Sequence, residues 1–195
     1  IRHIDYCIRE YIRNRMSTLE VNNIKDTGSN SLISSDGSGT FTINNSVLKN
    51  TPSFFATLSA TQSVTGSTWT KVQCNNEILD SDSAYDNSTN YRFTVPTGEG
   101  GKYMVFGQIW EYHSSTGIYT LKSAVYKNGS KVAYTQVDLN TAHDEFNEVH
   151  VNLNVVMDLS AGDYLELYGL VDGTANTDEF RPDSTHFGAY KLIGA

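Results

Sequence analysis

Asp80-Ser-Asp82-Ser-Ala-Tyr-Asp86-Asn spaces three carboxylates as the opening of a calcium loop does, where alternate oxygen ligands wrap a hard cation. That loop needs Gly at its sixth position and Glu at its twelfth; here these are Tyr85 and Tyr91, so a turn solvated by acids is the simpler reading. Gly98-Glu-Gly100-Gly101-Lys102 has the glycines and lysine of a phosphate cradle without its Gly-x4-Gly-Lys-Ser/Thr spacing, and it precedes a strand instead of a helix. It reads as a tight turn. His113, His143, His150 and His186 lie far apart in the chain, and no Ser or Cys sits in a nucleophile elbow. The expectation is a protein without a catalytic site. The sequons at Asn44, Asn87 and Asn128 follow from Asn and Ser richness and carry no argument for glycosylation.

The elements that position these residues are strands. Gly, Ser, Thr and Asn are abundant, Tyr is high (12), Pro is scarce (3), and no long Ala/Leu/Glu/Lys tract supports a helix. Phe54 to Leu58, Trp69 to Val72 and Asn90 to Val95 read as short strands; Tyr119 to Lys127 and Lys131 to Val137 flank Asn128-Gly129, a strong hairpin signal. Glu148 to Leu159 alternates, with Val149, Val151, Leu153, Val155 and Met157 on one face and His150, Asn152, Asn154 and Asp158 on the other. Ser160-Ala-Gly162-Asp163 turns it into Tyr164 to Val171, an Asp-rich loop follows, and His186 to Ile193 closes the domain. Eight to ten short strands without helices indicate a sandwich or jelly roll. Gly101 to Trp110 differs from the rest because it is apolar on both faces: Tyr103, Val105 and Ile109 on one, Met104, Phe106 and Trp110 on the other. A sandwich core covers one face, so a further copy of the chain is expected on the other.

The chain has 195 residues and a formal net charge of −8, and residues 1 to 15 carry four Arg against one Asp and one Glu, which leaves −10 for the rest. Phosphate-backbone binding needs clustered Lys and Arg, so nucleic acid is not an expected partner. No run reaches the roughly 20 apolar residues of a membrane helix. Cys7 and Cys74 form no disulfide framework or metal spacing, and Cys74 reads as a small core residue. Ile1, Ile4, Ile8 and Ile12 recur at helical spacing, so residues 1–15 read either as an amphipathic helix that associates with its copies or as residues ahead of a natural start at Met16. The second reading is preferred. Residues 16–50 contain brief apolar beats between Asp26-Thr-Gly28 and Asp36-Gly-Ser-Gly39 and too little apolar surface for a core, the mark of a stalk or attachment segment. Residues 51–195 form the head.

Asp80, Tyr85, Phe93 and Gly101-Lys-Tyr103, followed by Leu159-Ser-Ala-Gly162-Asp163-Tyr-Leu-Glu-Leu and Phe187-Gly-Ala-Tyr190-Lys-Leu192, resemble the head domain of the complement C1q and tumour-necrosis-factor-like superfamily. Val105 stands where the motif has its last Phe, and the Phe93 to Gly101 gap is two residues longer. The resemblance implies an all-β, antiparallel jelly-roll sandwich that assembles as a homotrimer, with Tyr103, Val105, Val151 and Leu153 in the protomer core. Met104, Phe106, Trp110, His150, Asn152 and Val156 would form the trimer interface. It also implies that a cation could sit near the trimer apex, where Asp172, Asp178, Glu179 and Asp183 offer carboxylates; calcium is thus the one cofactor to consider. Ser17 to Val47, particularly Leu19 to Ile24 and Ser-Asp36-Gly-Ser-Gly-Thr-Phe41, resembles N-terminal portions of appendage proteins of tailed bacteriophages.

Together these readings lead to an expected function: a structural virion appendage, a trimeric fibre knob or capsid decoration. It would attach to other virion proteins through its N-terminal segment and touch a host-surface glycan or protein through distal loops. Tyr112, His113, Tyr119, Asp178 and Arg181 are the candidate ligand-facing residues. A secreted or cell-surface ligand of the same superfamily, binding a protein receptor, is the alternative, and a polysaccharide-degrading appendage enzyme with paired acids is a third. An axial His150 would bring three imidazoles together and make assembly sensitive to pH.

Overall fold

The computed structural model describes residues 23–43, 50–113, 118–143, 148–173 and 178–193, with backbone only at 140–143. The expectations for residues 1–15, Cys7 and Met16 lie outside these. The chain divides into two compact units, Ile1–Asn45 and Ser46–Ala195.

In the first unit, β1 (Asn23–Lys25), β2 (Ser31–Ser35) and β3 (Phe41–Ile43) make a three-stranded antiparallel sheet. Carboxylates close both turns: Asp26 accepts the Asn30 amide at 2.9 Å and Asp36 the Ser38 amide at 2.8 Å, while Gly37 and Gly39 take positive φ. Ile24, Leu32, Ile33 and Phe41 remain exposed, so the described residues of this sheet form no core among themselves.

The second unit holds β4 (Ser53–Thr57), β5 (Gln62–Val64), β6 (Thr70–Lys71), β7 (Asn76–Asp80), β8 (Tyr85–Asp86), β9 (Arg92–Thr94), β10 (Gly101–His113), β11 (Ile118–Lys127), β12 (Ser130–His143), β13 (Glu148–Leu159), β14 (Tyr164–Gly173) and β15 (Asp178–Lys191). One sheet runs β13-β10-β15-β4-β7 with β5 beside β15; the other runs β12-β11-β14-β9-β8 with β6 beside β14. All pairings are antiparallel. This is the all-β jelly-roll sandwich expected from the sequence.

The two sheets share one core. Phe54 stacks between Tyr85 and Phe93, at ring separations of 4.7 and 4.8 Å, and meets Phe187 edge-on at 5.1 Å. Tyr85 donates its hydroxyl to the Cys74 carbonyl, and burial pushes the Cys74 thiol up to about 12. Gly169 makes room for this packing: a Cβ there would lie 2.5 Å from the Phe180 ring and 2.9 Å from Ile109. At the Asn128-Gly129 hairpin both residues take positive φ, as a type I′ turn requires. The Asn128 side chain donates to Asp163 at 2.7 Å and accepts the Tyr164 amide at 2.9 Å, which ties the hairpin tip to the Ser160–Asp163 turn. The Lys127 ammonium and the turn's own donors lower Asp163 to about 2.

Several strands exceed their sequence-based limits: β12 runs six residues past Val137 to His143, and β10 and β15 differ most in consequence. β10 continues to His113, and β15 begins at Asp178, in what read as an Asp-rich loop. A bulge allows the extension: Gln108 pairs with His186 but Trp110 pairs with Arg181, so four residues of β15 face one of β10. Thr185 bridges the gap by accepting the Trp110 amide at 2.9 Å, and Asp183 takes φ 67°. Pro182 and Asp183 gave the segment its loop-like composition.

Candidate functional site

Alternation sorts β10 into two faces. Tyr103, Val105 and Ile109 are fully buried between the sheets, with Val151 and Leu153 of β13 buried beside them, while Met104, Phe106, Trp110, His150, Asn152 and Val156 all lie on the outward face of the β13-β10-β15-β4-β7 sheet. On that face the side chains form two aromatic clusters, around Phe106 and around Trp110, with Gln108 between them. Phe106 sits among Phe55, His186 and Tyr190 at ring separations of 6.1, 6.2 and 6.4 Å. Its ring lies flat over β15 because Gly188 is beneath it, where a Cβ would approach to 2.4 Å. Trp110 stacks on His150 at 5.4 Å, and Arg181 lies 5.6 Å over Trp110 and 3.4 Å over Tyr112. Arg181 also reaches Glu179 at 3.4 Å and Glu148 at 3.5 Å. The Trp110 indole N–H is enclosed with no acceptor among the described residues.

His150 and His186, distant in sequence, converge here. Ser184 Oγ lies 2.9 Å from His150 Nδ1, and the Ser184 carbonyl lies 2.9 Å from His186 Nδ1. Pairing of β13 and β15 to the same β10 brings them together, a long-range fact with no local signal.

Of the five candidate ligand-facing residues, the structure places none in a described loop. Tyr112 and Arg181 lie on the outward sheet face, and Tyr119 is exposed on β11. His113 and Asp178 are corrected: both are buried inside the sandwich, paired across β10 and β15, with His113 Nδ1 bonded to an Asp178 carboxylate oxygen. The cause is strand parity, since His113 continues the inward series of Tyr103, Val105 and Ile109. Gly173 leaves space for its imidazole. Glu111 belongs to the same series and is fully buried, with neither carboxylate oxygen in hydrogen-bond geometry with a donor among the described residues. Burial raises its pKa well above the usual carboxylate range, against a smaller opposing pull from the Lys122 and Leu170 amides. Burial likewise raises Asp178. Sequence reading missed Glu111; the signal available was its parity with Ile109.

The acidic segments are structural. Asp86 accepts the Ser88, Thr89 and Asn90 amides, which hold it far below the usual range, and Asp80 accepts the Tyr85 amide at 2.8 Å. Asp172, Asp178 and Glu179 go to separate partners, Ser67, His113 and Arg181. No group of three or more His, Cys, Asp or Glu among the described residues could hold a metal ion. Gly98 to Gly101 forms the expected turn, with Tyr103 donating its hydroxyl to the Glu99 carbonyl at 2.6 Å and Lys191 3.0 Å from the Glu99 carboxylate. Among the described residues no helix is long and apolar enough to cross a membrane.

No protein-family model matches the chain, and no curated protein matches it. Solved structures do. Murine APRIL at pH 5.0 superposes with a TM-score of 0.52 at 15% identity, covering 72% of this chain and 98% of that one. Eiger TNF from S. frugiperda gives 0.52 at 14% identity, over 73% and 92% of the two chains. The globular domain of zebrafish complement 1qA gives 0.51 at 14%, over 72% and 97%. At such identities the likeness establishes the C1q/TNF-like jelly-roll fold.

Proposed function

We propose that the chain is the trimeric head of a binding protein, with the outward face of the β13-β10-β15-β4-β7 sheet as the interface between copies. The observation that carries this reading is the aromatic surface around Phe106 and Trp110, on the outward side of a sheet whose inward side already fills the core. A neighbouring copy supplies the apolar cover. Light scattering of the full chain tests it directly: the expected mass is three times 21.6 kDa, and a monomer at micromolar concentration sinks the assembly.

The head is, on this reading, an external appendage of a virion that binds a host-surface glycan or protein, held to other virion proteins through the N-terminal segment. In support, the described part of the first unit is a small sheet with Ser/Gly turns and exposed apolar side chains, a surface that association covers. A trimeric head presents three sites at once, so weak individual contacts gain avidity. A second reading, a secreted ligand for a protein receptor, is favoured by the APRIL, TNF and complement names of the similar structures. Fluorescently labelled head incubated with bacterial cells separates the two. Saturable binding competed by purified surface polysaccharide supports the appendage, and binding only to animal-cell receptor ectodomains supports the ligand.

A further inference from the structure

Among the described residues of the second unit, the buried charge-bearing side chains are paired with one exception. Lys191 reaches Glu99 at 3.0 Å, Glu166 reaches Lys71 at 2.5 Å, and Asp178 is bonded to His113. Glu111 is fully buried and has no ion-pair partner among the described residues, and neither of its carboxylate oxygens is in hydrogen-bond geometry with a donor there. Glu111 and His113 are the last two inward positions of β10, and Asp178 is the first of β15, paired with His113. Two acids thus share one imidazole at one end of an otherwise apolar core.

No cation faces Glu111 from the strands around it. β15 sets Phe180 opposite it, β13 sets Val149, and the Lys122 and Leu170 amides of β11 and β14 draw on it. The inward side chains of β11 and β14 nearby, Leu121, Ser123 and Val171, bring no charge. Tyr112, Glu148, His150, Glu179 and Arg181 lie on the far side of its own sheet, and Tyr119, Lys122 and Asp172 on the outward side of the other. Asp178 is the acid that bears on Glu111, and Asp172 bears in turn on Asp178. The hydrogen-bond ladder is also divided here: β10 pairs with β15 through six residues, Tyr103 to Gln108, and then four, Trp110 to His113, with the bulge opposite Ile109 between the two runs. On its other side the shorter run of β15 is flanked by β5, only three residues long.

We propose that this shorter run is a proton-operated latch: Asp178 to Arg181 stays seated on β10 while Glu111 is protonated, and peels from it when Glu111 ionises. Loss of the proton puts a second carboxylate charge beside Asp178 with no counter-ion, and a buried charge in that position is relieved by admitting water. Water enters where the ladder is shortest and already interrupted, so the run beyond the bulge opens as a unit while the longer run stays closed. Burial holds Glu111 above the ordinary carboxylate range, so the latch is shut in mild acid and loosens as pH rises through the folded value. The device lies inside one protomer and is independent of how copies assemble.

Hydrogen exchange of the full chain at pH 5, 6.5 and 8, read by mass spectrometry and expressed as protection factors so that the intrinsic pH dependence of exchange divides out, tests the latch. Amides of 178–181 are expected to lose about tenfold in protection per pH unit above the folded value, while those of 186–191, on the same strand beyond the bulge, keep theirs. Glu111→Gln and Glu111→Leu cannot ionise, and each is expected to hold 178–181 protected at pH 8. Three results overturn the proposal. They are protection of 178–181 that is equal at every pH, an equal loss at 186–191, which would make Glu111 a matter of global stability alone, and the same loss in the Glu111 variants. Should neither variant fold, the contrast between the two ends of β15 in the unaltered chain decides.

Discussion

Glu111 shows how much a single position can carry. It is an acid at a core position of an otherwise apolar series, and its folded-state pKa lies well above the roughly 4.3 of an unfolded glutamate. A raised carboxylate pKa contributes stability that is fully present below the unfolded value and is lost as pH rises through the folded one. Asp178, also raised, adds in the same sense. Glu111→Gln removes the ionisation while keeping the shape, so its gain in melting temperature over the unaltered protein is larger at pH 8 than at pH 5. Calorimetry at both values reads this out, and a pH-independent difference would contradict the assignment. The side chain was readable as inward from parity alone. That the nearest donors would be the Lys122 and Leu170 amides was not, because these come from β11 and β14.

At the scale of the element, glycines set how closely the sheets approach. Gly169→Ala places a methyl group against the buried Phe180 ring and Ile109, neither of which has space to retreat, and costs about 2 kcal/mol in denaturant unfolding. A neutral result would mean that the ring has freedom its burial denies. The outward face of β10 and β13 takes the opposite test. Val156 is 55% exposed within one chain, so Val156→Asp leaves the protomer folded, but at an interface it buries an uncompensated charge. Light scattering of this variant is expected to show folded monomers; an intact trimer would place Val156 outside the contact. Phe106→Asp acts the same way with a larger loss of apolar cover. Strand lengths were less readable than strand faces. Pro182 and Asp183 imitate a loop, and only the bulge opposite Ile109, bridged by Thr185, carries β15 past them.

For the whole molecule, the two sheets present different outward surfaces: aromatic with His150 and His186 on one, and on the other Tyr126 stacked on Tyr168 beside the ion-paired Lys71 and Glu166. On the first, Arg181 already lies over Trp110, with Glu148 and Glu179 beside it. His150 stacks on Trp110 within that cluster, so His150→Ala is expected to weaken the trimer, as sedimentation velocity against the unaltered chain would measure; an unchanged equilibrium would remove the histidine from the interface.

Alternation along β10 and β13, the Asn128-Gly129 turn and the aromatic positions Tyr85, Phe93 and Tyr103 were enough to determine an antiparallel jelly roll and the two faces of its long strands. Those are local properties, since a side chain's direction in a strand follows from its parity and a turn from its φ preferences. The sequence could not say that His113 and Asp178 would pair inside the sandwich, or that Ser184 would join His150 to His186. Each depends on which strands become neighbours across many residues of chain, and that was decided only when the two sheets closed on their common core.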